Sequence, residues 1–283
     1  MSQTPLVIEN PREMRAHATS LRDQGLRIGF VPTMGALHQG HLSLLDHAGS
    51  RCDRLVVSIF LNPLQFNQQS DLDRYPRTFE SDREKCAAHG AHVIYAPNPQ
   101  VMYPEGFQTT VSVAKVSQGL CGAHRLGHFD GVTTVVLKLF NAVQPHLAAF
   151  GEKDYQQLQV IKRMTLDLDL GVEVVGCPTV RETDGLAMSS RNVYLNKKER
   201  ENALCLWRAL NRAHGLAQTG EDRVEALKTA ARAEIEAVEG ARLEYLEVVD
   251  PTSLEGLERL DRPARMALAV WLGGTRLIDN MAL

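Results

Sequence analysis

Through the first two-thirds of the chain, short apolar runs of strand length alternate with stretches whose apolar residues recur at helical spacing. Residues 26–32, 55–61, 92–96, 146–150 and 172–175 read as strands, and the stretches near 41–50, 79–90, 132–143 and 155–168 read as helices. Such alternation predicts a parallel sheet covered by helices on both faces. In open sheets of that kind a ligand lies beyond the carboxyl ends of the strands. The pattern changes near residue 180. There, two charged helical stretches, 197–218 and 223–238, precede strands over 243–249 and 266–272, which predicts a small α+β domain.

Chemistry concentrates where the first of these strands ends, at Val31-Pro32-Thr33-Met34-Gly35-Ala36-Leu37-His38-Gln39-Gly40-His41. The pattern places His38 just before a helix and His41 at its start. Free backbone N–H groups and the positive end of the helix dipole make that position attractive to phosphate. Gly35 and Gly40 allow the backbone to approach a ligand closely. Both imidazoles are expected to face the bound anion, as hydrogen-bond donors or as cations. A metal site is the competing use of paired histidines, but no cysteine or carboxylate stands nearby at ligand spacing. The chain has no G-x-x-x-x-G-K-[ST] loop and no G-x-G-x-x-G turn. The turn therefore points to a nucleotide triphosphate site.

His38-Gln39-Gly40-His41 is similar to the H-x-G-H signature shared by class I aminoacyl-tRNA synthetases and small-molecule nucleotidyltransferases. Further blocks follow in order and resemble the pantothenate synthetase family. They are Val56-Val57-Ser58-Ile59-Phe60-Leu61-Asn62-Pro63-Leu64-Gln65-Phe66, Tyr75-Pro76-Arg77-Thr78, Gly127-His128-Phe129-Asp130-Gly131-Val132, Phe150-Gly151-Glu152-Lys153-Asp154, Ser189-Ser190-Arg191-Asn192 and Leu277-Ile278-Asp279-Asn280. H-x-G-H alone is a weak signal, whereas this ordered set spans the chain. The expected class is therefore α/β: a Rossmann-like parallel-sheet domain over 1–179 and a smaller α+β domain over 180–283.

The resemblance implies ATP-dependent condensation of pantoate with β-alanine through a pantoyl adenylate, with release of AMP and pyrophosphate. It implies ATP contacts from Pro32, Thr33, Met34, Gly35, His38, Gly40, His41, Gly151, Glu152, Lys153, Asp154, Val180, Met188, Ser189, Ser190 and Arg191. His41, His38, Lys153 and Arg191 are the expected catalytic groups. Gln65 and Gln157, neutral amides that both donate and accept, are the expected pantoate and β-alanine contacts. Arg125 and His128 belong to a matching block. Met188-Ser189-Ser190-Arg191 stands where the superfamily has K-M-S-K-S, with Ala187 and Ser190 in place of its lysines. Arg191 and Lys153 are the cations left to serve in their stead. Magnesium is expected with ATP. Asp82 is the candidate ligand, although Ser81 replaces a carboxylate found in some relatives, and Asp71 and Asp73 read as solvated surface. No base can be assigned for the amine step. Two other readings remain open: a nucleotidyltransferase that stops at a nucleotidylated product, and a nucleotide-binding regulator without turnover.

Composition narrows the partners. A formal charge of −3 over 283 residues leaves no electrostatic footprint for nucleic acid. No apolar run reaches membrane-spanning length, and Met-Ser-Gln-Thr-Pro does not open a secretion signal. The five cysteines are widely spaced without C-x-x-C, which predicts reduced thiols and a cytoplasmic setting. A homodimer is implied by the resemblance alone.

Overall fold

A computed structural model of the chain describes residues 4–67 and 69–283. The chain divides into two compact units. The first runs to Val113 and takes in Arg125–Glu152 and Gln157–Pro178; the second comprises Ala114–His124, Lys153–Gln156 and Thr179–Leu283.

The first unit is built on six parallel strands, β1 (Leu6–Ile8), β2 (Ile28–Thr33), β3 (Arg54–Ile59), β4 (Val93–Tyr95), β5 (Leu147–Gly151) and β6 (Glu173–Cys177), in the order β1-β4-β3-β2-β5-β6. Alternation along the strands sorts their side chains to two faces. Val31, Leu55, Val57, Ile94 and Ala149 pack with Leu45 and Cys86 of the Gln39–Gly49 and Phe79–Ala88 helices. Phe30 turns the other way and meets the ring of Phe140, on the His128–Val143 helix, edge-on at 6.2 Å. Both faces of the sheet are covered, as the near-continuous apolar strands require.

The register creates the crevice. β2 pairs with β3 as far as Thr33↔Ile59, but with β5 only at Gly29↔Leu147 and Phe30↔Ala148. β5 then continues beside β6 to Gly151↔Cys177. The two central strands part toward their carboxyl ends, at the point where the strand order reverses.

In the second unit β7 (Ala241–Val249), β8 (Arg265–Leu272) and β9 (Thr275–Ala282) form an antiparallel sheet. Leu206, Leu210, Leu227 and Ile235, from the Leu204–Gln218 and Val224–Glu236 helices, share a core with Leu246, Met266 and Leu268 of that sheet. The expected single helix over 197–218 is two, Lys197–Asn202 and Leu204–Gln218, joined at Ala203. β1, the Pro11–Asp23 helix and β9 were not expected from the pattern. β1 has three residues, too few to show a period. The Pro11–Asp23 helix buries only Met14, Ala18 and Leu21, although Asn10 caps it by accepting from Arg12 and Glu13 N–H. The β9 signal was present in Gly273-Gly274, a two-residue hairpin connection.

All five cysteines are free. Burial pushes the thiols of Cys86, Cys177 and Cys205 up to about 12, 11 and 11, which leaves them protonated and unreactive at neutral pH. Among the described residues no helix is long and apolar enough to cross a membrane.

Candidate active site

The turn after β2 lies at the opening of the sheet, and its backbone is used almost completely within the protein. Thr33 Oγ1 donates to Ser58 O at 2.7 Å and accepts from Gly35 N–H at 3.2 Å. Gly35 and Ala36 follow with φ of 82° and 52°, the left-handed region that bends the chain toward the next helix. Asp82, fully buried, accepts from Ala36 N–H and Leu37 N–H, both at 2.8 Å. His38 is the N-cap of the Gln39–Gly49 helix. Its Nδ1 accepts from Gly40 N–H at 3.2 Å, and His41 Nδ1 accepts from His38 N–H at 3.3 Å.

The amides of Gly35, His38 and Gly40 thus donate within the turn, and those of Ala36 and Leu37 donate to Asp82. What the turn presents is a pair of imidazoles with ring centroids 4.1 Å apart at a helix N-terminus. Because both Nδ1 atoms act as acceptors, each neutral ring carries its proton on Nε2. A phosphate met there would be bound by side-chain donors and the helix dipole, with no cationic imidazole required.

Gln65 is joined to the same turn. Its Nε2 lies 2.9 Å from the sulfur of Met34, and its Oε1 accepts from Asn62 Nδ2 at 3.0 Å. Asn62 is buried and also donates to Gly131 O, while Tyr103 OH donates to Asn62 Oδ1 at 2.7 Å. These bonds settle which end of the Gln65 amide is which. Its main-chain carbonyl lies 3.0 Å from Arg125 Nη2 and 2.7 Å from His128 Nδ1. The helix carrying His128 comes close enough that a Cβ on Gly131 would sit 2.4 Å from Leu64 O. Asn62 and Tyr103 were not assigned roles from sequence. The Asn62-Pro63 cap signature marked the first, and nothing local marks the second.

Gly151 ends β5, and Glu152 begins the 3₁₀ turn that leads into the Tyr155–Asp167 helix, which carries the half-buried Gln157. Pro32, Thr33, Met34, Gly35, His38, Gly40, His41, Gln65, Gly151, Glu152 and Gln157 thus belong to the first unit.

Lys153, Asp154, Val180 and Met188 through Arg191 belong to the second. Lys153 Nζ lies 3.7 Å from Asp154 Oδ1, and Asn280 Nδ2 donates to Lys153 O at 2.9 Å. Met188 N–H donates to Val180 O, and Ser189 Oγ accepts from Arg191 N–H at the start of a 3₁₀ turn. That loop is anchored from its base. Arg181 forks onto the buried Asp279 at 2.6 and 2.9 Å and lies over the ring of Trp207, while Asn192 donates to Glu182 and to Ala187 O. The Arg181–Asp279 anchor was invisible in sequence, because its partners stand far apart along the chain.

Among the described residues no three histidine, cysteine or acidic side chains gather as a metal site. Asp82, the expected magnesium ligand, commits both oxygens to the turn and receives Thr78 Oγ1 as well at 3.0 Å. The residues present do not form a protein cage for magnesium, which commonly takes most of its ligands from phosphate and water.

A parallel six-strand sheet opening beside an H-x-G-H turn, with a separate small antiparallel sheet, defines an α/β protein of the nucleotidyltransferase type. Residues 6–282 match the model of the pantoate-beta-alanine ligase family. Pantothenate synthetase of Chelativorans sp. (strain BNC1) is 52% identical over 275 residues, covering 97% of this chain and 96% of that one. The crystal structure of pantothenate synthetase from Thermus thermophilus superposes with a TM-score of 0.91 at 45% identity, covering 98% of both chains. That of pantoate-beta-alanine ligase from Francisella tularensis, complexed with beta-gamma ATP and beta-alanine, does so at 0.79 and 34%, covering 98% of this chain and 97% of that one. The chain belongs to the pantoate–β-alanine ligase family.

Proposed function

We propose that this chain condenses pantoate with β-alanine at the expense of ATP, through an enzyme-bound pantoyl adenylate. The observation that carries the reading is the pair of adjacent imidazoles at the helix start, on a turn whose Met34 sulfur meets Gln65. Family membership and the β-alanine and nucleotide in the Francisella complex support it. In the first step a pantoate carboxylate oxygen attacks the α-phosphorus of ATP, and the bond from that phosphorus to the pyrophosphate oxygen breaks. A carboxylate is already nucleophilic, so the step needs alignment and charge stabilisation more than a base. His38 and His41 donate hydrogen bonds from Nε2 to oxygens on which charge grows, those of the departing pyrophosphate among them. Lys153 and Arg191 add positive charge, by the family resemblance. Magnesium, held mainly by phosphate and water, adds charge neutralisation when bound. In the second step the amine of β-alanine forms the new bond to the acyl carbon. AMP leaves with the electron pair of its carbon–oxygen bond, and the nitrogen gives up a proton.

Exchange of labelled pyrophosphate into ATP tests the reading. It is expected only when pantoate is present. Exchange that needs a different acceptor would make the chain a different nucleotidyltransferase, and no exchange with any acceptor would leave a nucleotide-binding protein without turnover. A homodimer in a cytoplasmic setting is part of this reading, supported by the resemblance and the free thiols, and sedimentation of the purified chain tests the dimer. Gln157→Ala is expected to raise the KM for pantoate by the equivalent of about 1–3 kcal/mol, the cost of an amide lost from a polar pocket, with ATP affinity nearly unchanged. Steady-state titration of each substrate checks it, and an equal loss for both would point instead to a folding defect or a nucleotide role.

A further inference from the structure

We propose that Asp82 is a positioning residue, an internal anion seated in the backbone nest of the H-x-G-H turn, that holds His38 and His41 in place for the triphosphate; the proposal rests on the functional reading above. Consecutive N–H groups in a left-handed turn form a concavity that takes an anion, and in many nucleotide sites that anion is phosphate. Here the amides of Ala36 and Leu37 meet the two oxygens of Asp82, each at 2.8 Å. The carboxylate is fully buried and is steadied by Thr78 Oγ1 at 3.0 Å. One turn along the same helix, Lys85 Nζ donates to Leu37 O at 2.8 Å, so the Phe79–Ala88 helix grips both polar groups of Leu37. The fit is close on the other side too, since a Cβ on Gly35 would meet Asp82 Oδ2 at 3.1 Å. The next residue along is the helix cap, His38. Filling the nest with the protein's own charge has two consequences. It closes the Ala36 and Leu37 amides to phosphate, and it fixes the angle at which the imidazoles are presented.

Asp82→Asn tests this because it keeps size and burial while turning one oxygen into an NH₂ group that faces an N–H donor. Adenylate formation at saturating substrates is expected to slow by about 10²-fold, the effect of an ångström-scale displacement of catalytic groups. The KM for pantoate should stay unchanged, and the magnesium concentration giving half-maximal rate should not move. Hydrogen exchange at the Ala36 and Leu37 amides, read without any substrate, should accelerate while core strands stay protected. Thr78→Val, a milder loss from the same carboxylate, should move rate and exchange the same way by a smaller factor, and it serves if Asp82→Asn fails to fold. A near-wild-type rate with the amides still protected would overturn the proposal. So would recovery of the rate at high magnesium, which would make Asp82 a metal-holding group. Faster amide exchange in a protein whose wild-type form makes no adenylate from pantoate would leave the clamp standing and reject only the functional reading.

Discussion

His41→Ala is expected to slow adenylate formation by about 10²–10³, while ATP binds almost as tightly as before. The structure sharpens this expectation, because the ring has two separable duties. Nδ1 accepts from His38 N–H and so helps to close the helix start, while Nε2 carries the proton that a phosphate oxygen would meet. His41→Asn retains an acceptor near the Nδ1 position and loses the outer donor. His41→Gln can reach the Nε2 position but abandons the cap. If the outer donor is what accelerates the reaction, His41→Asn falls with His41→Ala and His41→Gln keeps part of the rate. Single-turnover measurement decides the matter. A rate for His41→Ala within about tenfold of wild type, well short of the loss of one stabilising donor, rejects the assignment.

Arg181→Ala should be among the most damaging single changes to the stability of the second unit. Its guanidinium makes a two-pronged contact with Asp279, whose side chain is 1% exposed, and also lies 4.1 Å from the centre of the Trp207 ring. Removing it strands a buried carboxylate, which costs about 3–5 kcal/mol. Removing both partners should cost less than that, because no uncompensated charge remains. The loop that leads to Met188 and Arg191 starts from this anchor, so the single variant should also bind nucleotide more weakly. Denaturant unfolding of Arg181→Ala, Asp279→Ala and the double variant measures the coupling. A loss of no more than about 0.5 kcal/mol for Arg181→Ala, the size of an ordinary surface substitution, would show that the pair anchors nothing.

Much of the architecture could be read along the chain. The strands near 28–33, 54–59 and 147–151 are apolar runs ended by turn residues, and the helices between them bury one face, so local pattern and tertiary role coincide. The H-x-G-H turn was legible for the same reason: its glycines, histidines and helix start lie within a few residues of one another. β9 and the Pro11–Asp23 helix went unseen, the first behind an unread Gly-Gly turn and the second because a thin apolar stripe barely separates a surface helix from polar sequence.

What the sequence determined, then, was composition of the site: two imidazoles, an amide-rich strand exit after β3, a lysine after β5, and serines with an arginine after residue 180. What the tertiary structure decided was the use of each polar group. The amides of Ala36 and Leu37 are taken by a carboxylate from a helix 45 positions along the chain. Asp82, a candidate metal ligand in sequence, has both of its oxygens on backbone N–H groups. Asn62 orients Gln65 from three residues away, but Asn62 is itself fixed by Tyr103, 41 positions along the chain. The physical reason is common to all of these. A buried donor or acceptor must find a partner, and the partner is fixed by which segments the packed core brings together, a relation that spacing along one segment does not contain.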